Sequence, residues 1–329
     1  LWNSGFFGPL GHAGDKRDAQ LLESASRILG KLGNSLGMAI NVPWEIAGVG
    51  SGSSGPLSVS GRLRRSPEDL PLLEGRLFGG FAMVLGGQII TESIWRRKGR
   101  LLFITLVLHQ GRHVARDELL EMLWPGVARS RALDSFYTVW GNLQASIEDG
   151  DKYIERDGGY CRINPRNVIS DVAEFDQIVR SLLTEQEDAR ALLDTSARLE
   201  ELYRGGLLPG ESSCDLVDRY RKRYRAHYTD AMVTATARAL EIGDARVALW
   251  FARRAMEVDQ EREDVYHALI RAQMASGQRC SAIRTYFKCR EYLRENLGLD
   301  PSLEIQELYD HLIAVDPALA KLDPTSFAR

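Results

Sequence analysis

Residues 111–125 read Gly-Arg-His-Val-Ala-Arg-Asp-Glu-Leu-Leu-Glu-Met-Leu-Trp-Pro, a second helical run follows over 130–147, and residues 153–163 read Tyr-Ile-Glu-Arg-Asp-Gly-Gly-Tyr-Cys-Arg-Ile. This is helix, turn, helix, hairpin. In the first helix Leu119, Leu120, Met122 and Leu123 recur with a helical rather than an alternating period. Pro125 stops it, because proline has no N–H to donate and clashes with the turn before it. In the second run Leu133, Phe136, Trp140, Leu143 and Ile147 are spaced by three, four, three and four, which puts all five on one stripe. The period then changes to two. Tyr153, Glu155 and Asp157 alternate with Ile154 and Arg156, and Tyr160, Arg162 and Asn164 with Cys161 and Ile163. Gly158 and Gly159 can take the positive backbone angles that a tight hairpin needs.

The order resembles the winged-helix DNA-binding domain of OmpR-type response regulators, in the version found in the antibiotic regulatory proteins of actinobacteria (SARP type). The residues that carry the likeness are 111–114, 116–119, Leu123-Trp124 and the wing Gly158-Gly159-Tyr160. The family places a small antiparallel sheet before the first helix. Residues 73–90 fit it, with Gly86-Gly87 as a turn.

Composition bounds the rest. The 329 residues suffice for two or three domains, and 44% hydrophobic with 26% charged content suits a soluble globular chain. No apolar run reaches membrane-spanning length; the longest, 101–108, suits a buried helix. Net charge is -3, so the chain as a whole is no generic polyanion binder. Residues 76–166 differ, with thirteen Lys or Arg against ten Asp or Glu, a mild basic bias. Cys161, Cys214, Cys280 and Cys289 form no CxxC pair, and a reduced, cytoplasmic protein is the simplest expectation. No charged segment precedes an apolar one at the start, so a signal peptide is not expected; the chain reads as a piece of a longer protein.

Residues 1–47 read as an uncertain N-terminal flank, with a helix expected over 18–32. Asp15 and Arg17 break the Gly-Lys-Ser/Thr pattern that a phosphate loop after Gly14 needs. Residues 48–71 read as a flexible Gly/Ser-rich linker ending near Arg62, Arg64 and Arg65. Residues 72–166 form the winged helix. After Asn164 alternation is expected to end, and helices are expected over 171–183, 188–203, 215–242, 244–258, 261–276, 278–296 and 302–315, several of them closed by Gly or Pro. Gly243 and Gly277 lie 34 residues apart, and Ala248, Leu249 and Ala252 align with Ala282, Ile283 and Tyr286. That is the tetratricopeptide period, whose stacked helix pairs build a curved surface for partners. Arg262-Glu263-Asp264, Ala272-Gln273, Ser276-Gly277-Gln278, Cys289-Arg290 and residues 297–302 resemble the bacterial transcriptional activator domain, which follows the winged helix in the same family. Expected is a separate helical body over 168–316 and a tail over 317–329. The fold class is mostly α with a small β component: a winged helix-turn-helix, then an α-helical tetratricopeptide-like domain.

The resemblance implies a regulator whose second helix enters the major groove. Ser135, Tyr137, Thr138 and Asn142 on its outer face would then meet base edges. Arg129 and Arg131 at its start, Lys152 and Arg156 on the wing, and Arg97 and Lys98 on the first helix would hold phosphates. The implied partners are double-stranded promoter DNA, RNA polymerase or a regulatory module, and a second copy. No membrane, cofactor, metal or catalytic residue is expected: the six histidines are scattered, and no Ser or Cys lies in a nucleophile motif.

Two departures stand out. Family members usually carry several Arg or Lys in the second half of the recognition helix, yet residues 140–149 contain none, and Gly141 weakens the helix there by roughly 1 kcal/mol. Ala115 stands where the family tends to place an N-capping Ser, worth about 1 kcal/mol. The first departure favours the rival reading, a protein-interaction scaffold that keeps the fold without binding DNA. A third reading, a fragment of an ATPase, needs a phosphate loop upstream of Leu1.

Overall fold

In the computed structural model of the chain, residues 70–90, 97–184 and 189–315 are described. The expected helix over 18–32, the Gly/Ser-rich stretch with Arg62, Arg64 and Arg65, and the tail over 317–329 lie outside them.

Strands β1 (Leu73–Arg76), β2 (Ala82–Leu85) and β3 (Gln88–Ile89) form the antiparallel sheet expected before the first helix. Its β2–β3 turn falls on Gly86 and Gly87, both at positive φ. Helix α1 (Arg97–Leu108) is apolar all round from Leu101 onward, and every residue from Leu101 to Leu108 is buried. A helix with no polar face has to be covered on every side. Strand β4 (Val114–Ala115) leads into α2 (Arg116–Leu123) and α3 (Arg129–Ala145), and a 3₁₀ turn (Gly150–Lys152) follows. The wing is β5 (Ile154–Asp157) and β6 (Tyr160–Ile163), paired Asp157 to Tyr160 across Gly158–Gly159, in a sheet of order β4-β6-β5.

Alternation does not end at Asn164, as the sequence suggested. Strand β7 (Val168–Ser170) runs parallel to β1, Leu73 opposite Val168 and Gly75 opposite Ser170, and completes a sheet of order β3-β2-β1-β7. Three residues are too few for a period of two to declare itself. Helix α4 (Asp171–Thr184) starts at the next residue. It is followed by α5 (Ala189–Tyr203), α6 (Asp215–Ile242), α7 (Ala245–Val258), α8 (Glu263–Ala275), α9 (Arg279–Leu297) and α10 (Leu303–Val315). The helices match the expected spans to within two residues at each end. Gly243, Gly277 and Gly298 close three of them at positive φ, where a side chain would be strained. The residues aligned by the 34-residue repeat are all buried, in α7 and α9.

Nor is the helical body separate. One apolar cluster runs from Leu73 through α1 and α3 to Ala272 in α8. Phe78, just past β1, stacks on Phe175 of α4 at 4.9 Å between centroids and meets Tyr224 of α6 edge-on at 5.6 Å. The Leu77 and Phe78 amides both donate to the Asp171 carboxylate at 2.8 Å. Leu208, in the loop before α6, donates its amide to the Leu77 carbonyl at 2.8 Å. Just past the end of α1, Gln110 donates to Asp176 at 2.7 Å, and in its first turn Arg100 pairs with the buried Glu211 at 3.1 Å.

Burial pushes the Asp171 carboxyl up to about 6, against the opposing pull of the Phe78, Leu77 and Val172 amides and of Arg76. The folded chain therefore holds this proton more tightly than the unfolded one. The resulting stability is fully present below about pH 4 and is lost as pH rises through about 6, on the order of 2–3 kcal/mol. Asp171→Asn is expected to flatten this fall in urea-unfolding free energy between about pH 4 and about pH 7. An unchanged slope would show that another group carries it.

Candidate nucleic-acid interface

Helix α3 owes its orientation to its inner stripe. Ala132, Phe136, Trp140 and Leu143 are buried, with Ile147 just past the helix end, and Trp124 meets Phe136 edge-on at 6.5 Å. Leu133 is only partly buried against the same core. Neither α2 nor α3 has a side-chain N-cap; Ala115 and Ala128 occupy those positions.

The other side of α3 is open. Arg131, Asp134, Tyr137, Thr138, Gly141, Asn142 and Ala145 are exposed, and Ser135 is half-buried. The Thr138 hydroxyl donates to the Asp134 carbonyl at 3.0 Å, which leaves its lone pairs outward. Arg129 pairs with Asp117 at 2.7 Å, whereas Arg131 makes no ion pair among the described residues.

Tyr137 is the hinge of the surface. Its ring, 43% exposed, lies 4.8 Å under the Arg156 guanidinium of the wing, and its hydroxyl accepts from Arg116 at 3.0 Å. The Arg116 amide in turn donates to the Gly159 carbonyl at the wing turn, at 2.7 Å. Start of α2, middle of α3 and wing are thus tied through Tyr137, by a cation over its ring, worth about 0.5–1 kcal/mol at an exposed site, and a hydrogen bond to its hydroxyl. Beyond it, Tyr160 is 54% exposed beside the His113 ring, 6.0 Å away.

The remaining candidates are dispersed. Arg97 is exposed at the start of α1. Lys98 is engaged inward: its ammonium donates to the Leu123 carbonyl at the end of α2 and sits 5.5 Å from the Trp124 ring centroid. Arg100, from the same basic cluster, is held by Glu211. Lys152 pairs with Asp149 at 3.1 Å. The structure joins Arg156 to Tyr137 but does not bring Lys98 to the open face.

Arg116 was not singled out from the sequence. A cation at a helix start carries no local signal; only the closing of the wing over α2 shows its place. The end of α3 is as poor in cations as expected, and Glu148, Asp149 and Asp151 beyond it are exposed.

Other chemistries find little footing. A cleft of about 450 Å³ between α2 and the following turn is rimmed by Asp117, Glu121 and Arg129. Two carboxylates on the rim make it a poor phosphate site. Burial pushes the Cys161 thiol up to about 11 and that of Cys289 to about 12, away from reactive thiolates. Among the described residues no cluster of three His, Cys, Asp or Glu is placed to hold a metal, and no helix is long and apolar enough to cross a membrane.

Residues 170–313 match the family model described as the bacterial transcriptional activator domain. The helical body is a bacterial transcriptional activator domain. Two curated relatives, each named Regulatory protein AfsR, come from Streptomyces coelicolor and Streptomyces griseus. Each is 26% identical, over 242 and 227 residues, covering 68% of this chain but only 22% and 23% of the relative. The chain therefore spans about a fifth of their length. A solved structure of Mycobacterium tuberculosis EmbR in complex with a low affinity phosphopeptide superposes with a TM-score of 0.61. It does so at 20% identity, over 78% of this chain and 69% of that one, a likeness of fold. A winged helix followed by an activator domain is the SARP-type arrangement expected from the sequence.

Two substitutions separate inward from outward cations. Lys98→Ala should lower the urea-unfolding free energy by about 1 kcal/mol by orphaning the Leu123 carbonyl. Arg131→Ala, at an exposed and unpaired site, should stay within about 0.5 kcal/mol. Gly141→Ala should raise stability by up to about 1 kcal/mol, since a Cβ there meets nothing within 4 Å. A destabilised Gly141→Ala protein in thermal melts would mean that this helix face is covered.

Proposed function

We propose that this chain binds double-stranded promoter DNA through α3 and the wing and activates transcription by recruitment, its helical body holding a partner. The observation that carries the reading is the open outer face of α3, joined to the wing through Tyr137 and Arg156. With the helical body packed on Phe78 and on the ends of α1, that face stays exposed.

Asn142 has the amide geometry for a bidentate pair with adenine, and Thr138 offers a hydroxyl to several bases. Arg131 and Arg129 at the start of α3, and Arg97 on α1, are placed to hold phosphates. Arg116 and Arg156 are already ordered by Tyr137, so little side-chain freedom is lost on binding. The relatives' description as regulatory proteins supports a regulator. Partners of the helical body would be RNA polymerase, a regulatory module or a second copy of the chain, met on a surface built by stacked helix pairs. No step of this function needs bond chemistry or a cofactor, and a promoter-bound protein works in the cytoplasm.

A mobility-shift titration against genomic fragments at two salt concentrations tests the reading. Arg131→Ala should weaken binding alike across sequences and lower the salt slope by about 1, while Asn142→Ala should cost about 1–3 kcal/mol at the preferred site and relax its specificity. The second reading, an interaction scaffold without DNA binding, is favoured by the cation-free stretch 140–149. Absence of any shift below ~1 µM protein would establish it in place of the first.

A further inference from the structure

Helix α6 carries six basic or titratable nitrogen side chains within nine residues: Arg219, Arg221, Lys222, Arg223, Arg225 and His227. Three are committed inside the molecule. Arg221 donates to the Leu207, Leu208 and Glu211 carbonyls and pairs with Asp218. Arg225 faces Asp259 and Glu261, and His227 faces Asp176. The other three are exposed and lie at i, i+3 and i+4, one stripe of the helix. None of the three makes an ion pair among the described residues. Asp218, one turn before Lys222, is already bonded to Ser213 and Arg221, although Lys222 also helps to hold its carboxyl below the usual range, and exposed Asp215 stands one turn before Arg219. Such a stripe stands out on a chain of net charge -3.

Its place in the fold matters more than its charge. Arg219 and Arg223 lie against the buried rings of Tyr220 and Tyr224, 5.8 and 5.9 Å from their centroids. Tyr220 meets His109 at 6.3 Å, and the Tyr224 hydroxyl donates to Asp176, which also holds Gln110. His109 and Gln110 end α1. The chain continues through exposed Arg112 to His113, which packs on Tyr160 of the wing. The short loop 109–113, touching Tyr220 at one end and Tyr160 at the other, therefore connects the stripe to the wing.

We infer that Arg219, Lys222 and Arg223 contact the phosphates of the same duplex beside the winged-helix site, so that the activator domain extends the DNA footprint. The inference rests on the DNA-binding reading above. Arg219 and Arg223 are ~6 Å apart along the helix axis, close to two phosphate steps of about 3.4 Å each along one strand. Cations placed here restore the counterion release that the end of α3 lacks.

The test uses the whole chain and the triple variant R219Q/K222Q/R223Q, with circular dichroism to confirm folding. Binding is measured on the preferred genomic site in a duplex of about one and a half helical turns and in one of about four turns. The expected result is a loss of about tenfold or more on the long duplex, a salt slope lower by about 2–3, and little change on the short one. Equal binding of variant and wild type to both duplexes overturns the inference, including where reporter transcription falls, which would assign the stripe to a protein partner. Arg131→Ala keeps the two readings apart. If it weakens both duplexes while the triple variant weakens neither, only the stripe is wrong. If the wild-type chain binds neither duplex, the DNA-binding reading itself is lost.

Discussion

Two amides ending on one carboxylate decide how this molecule holds together. Leu77 and Phe78 turn the chain at the end of β1, and both N–H groups would be orphaned in an apolar setting without Asp171. A buried amide left unpaired costs about 1–3 kcal/mol, so the acid is worth keeping even though burial raises its own pKa. The turn it fixes delivers Phe78 into the ring cluster of Phe175, Tyr203 and Tyr224. Domains within a chain move relative to one another by default unless the interface between them is large and apolar. Here it is apolar, and a shared sheet crosses it.

Helix α1 makes the same point from the other side. An amphipathic surface helix has one wet face. In this chain Leu101 to Leu108 have none: β1 and Phe81 lie against Phe103 and Val107, and Arg100 near the helix start and Gln110 just past its end are held by Glu211 and Asp176 of the helical body. Even Thr105 turns its hydroxyl back to the Leu101 carbonyl at 2.7 Å. Removing the helical body would leave Arg100 and Gln110 without these partners, so the winged helix is not an independent module here. Its orientation relative to the activator domain is part of the fold.

This bears on what the sequence disclosed. Helix boundaries, the α3 stripe, the Gly158–Gly159 turn and the 34-residue repeat were all legible, since each is a periodic or local signal over many residues. Strand β7 was not, because three residues carry no measurable period, and its pairing partner lies some ninety residues earlier. With β7 missed, the two parts read as separate. At the candidate interface, residue types placed Tyr137, Thr138 and Asn142 on the outer face, and the structure keeps them there. The roles of Arg116 and Lys98 were not legible. Whether a cation faces water or a carbonyl depends on which chain end passes nearby, and that is decided by tertiary closure rather than by spacing.

The rigid junction also changes how the poverty of cations on α3 weighs. A loosely tethered winged helix has to hold the duplex with its own charges, and losing several would weaken it severely. In a fused body, any cation on the helical part stands at a fixed distance from α3 and adds to the same binding event without the entropic cost of docking a second domain. Selection for charge on the recognition helix is then relaxed, and residues such as Gly141 and Ala145 can occupy its outer face. The same rigidity limits promiscuity. Under the proposed function, a partner held by the helical body would be presented at one angle to the duplex, and the geometry of recruitment would be set by the turn at Phe78 rather than by a linker.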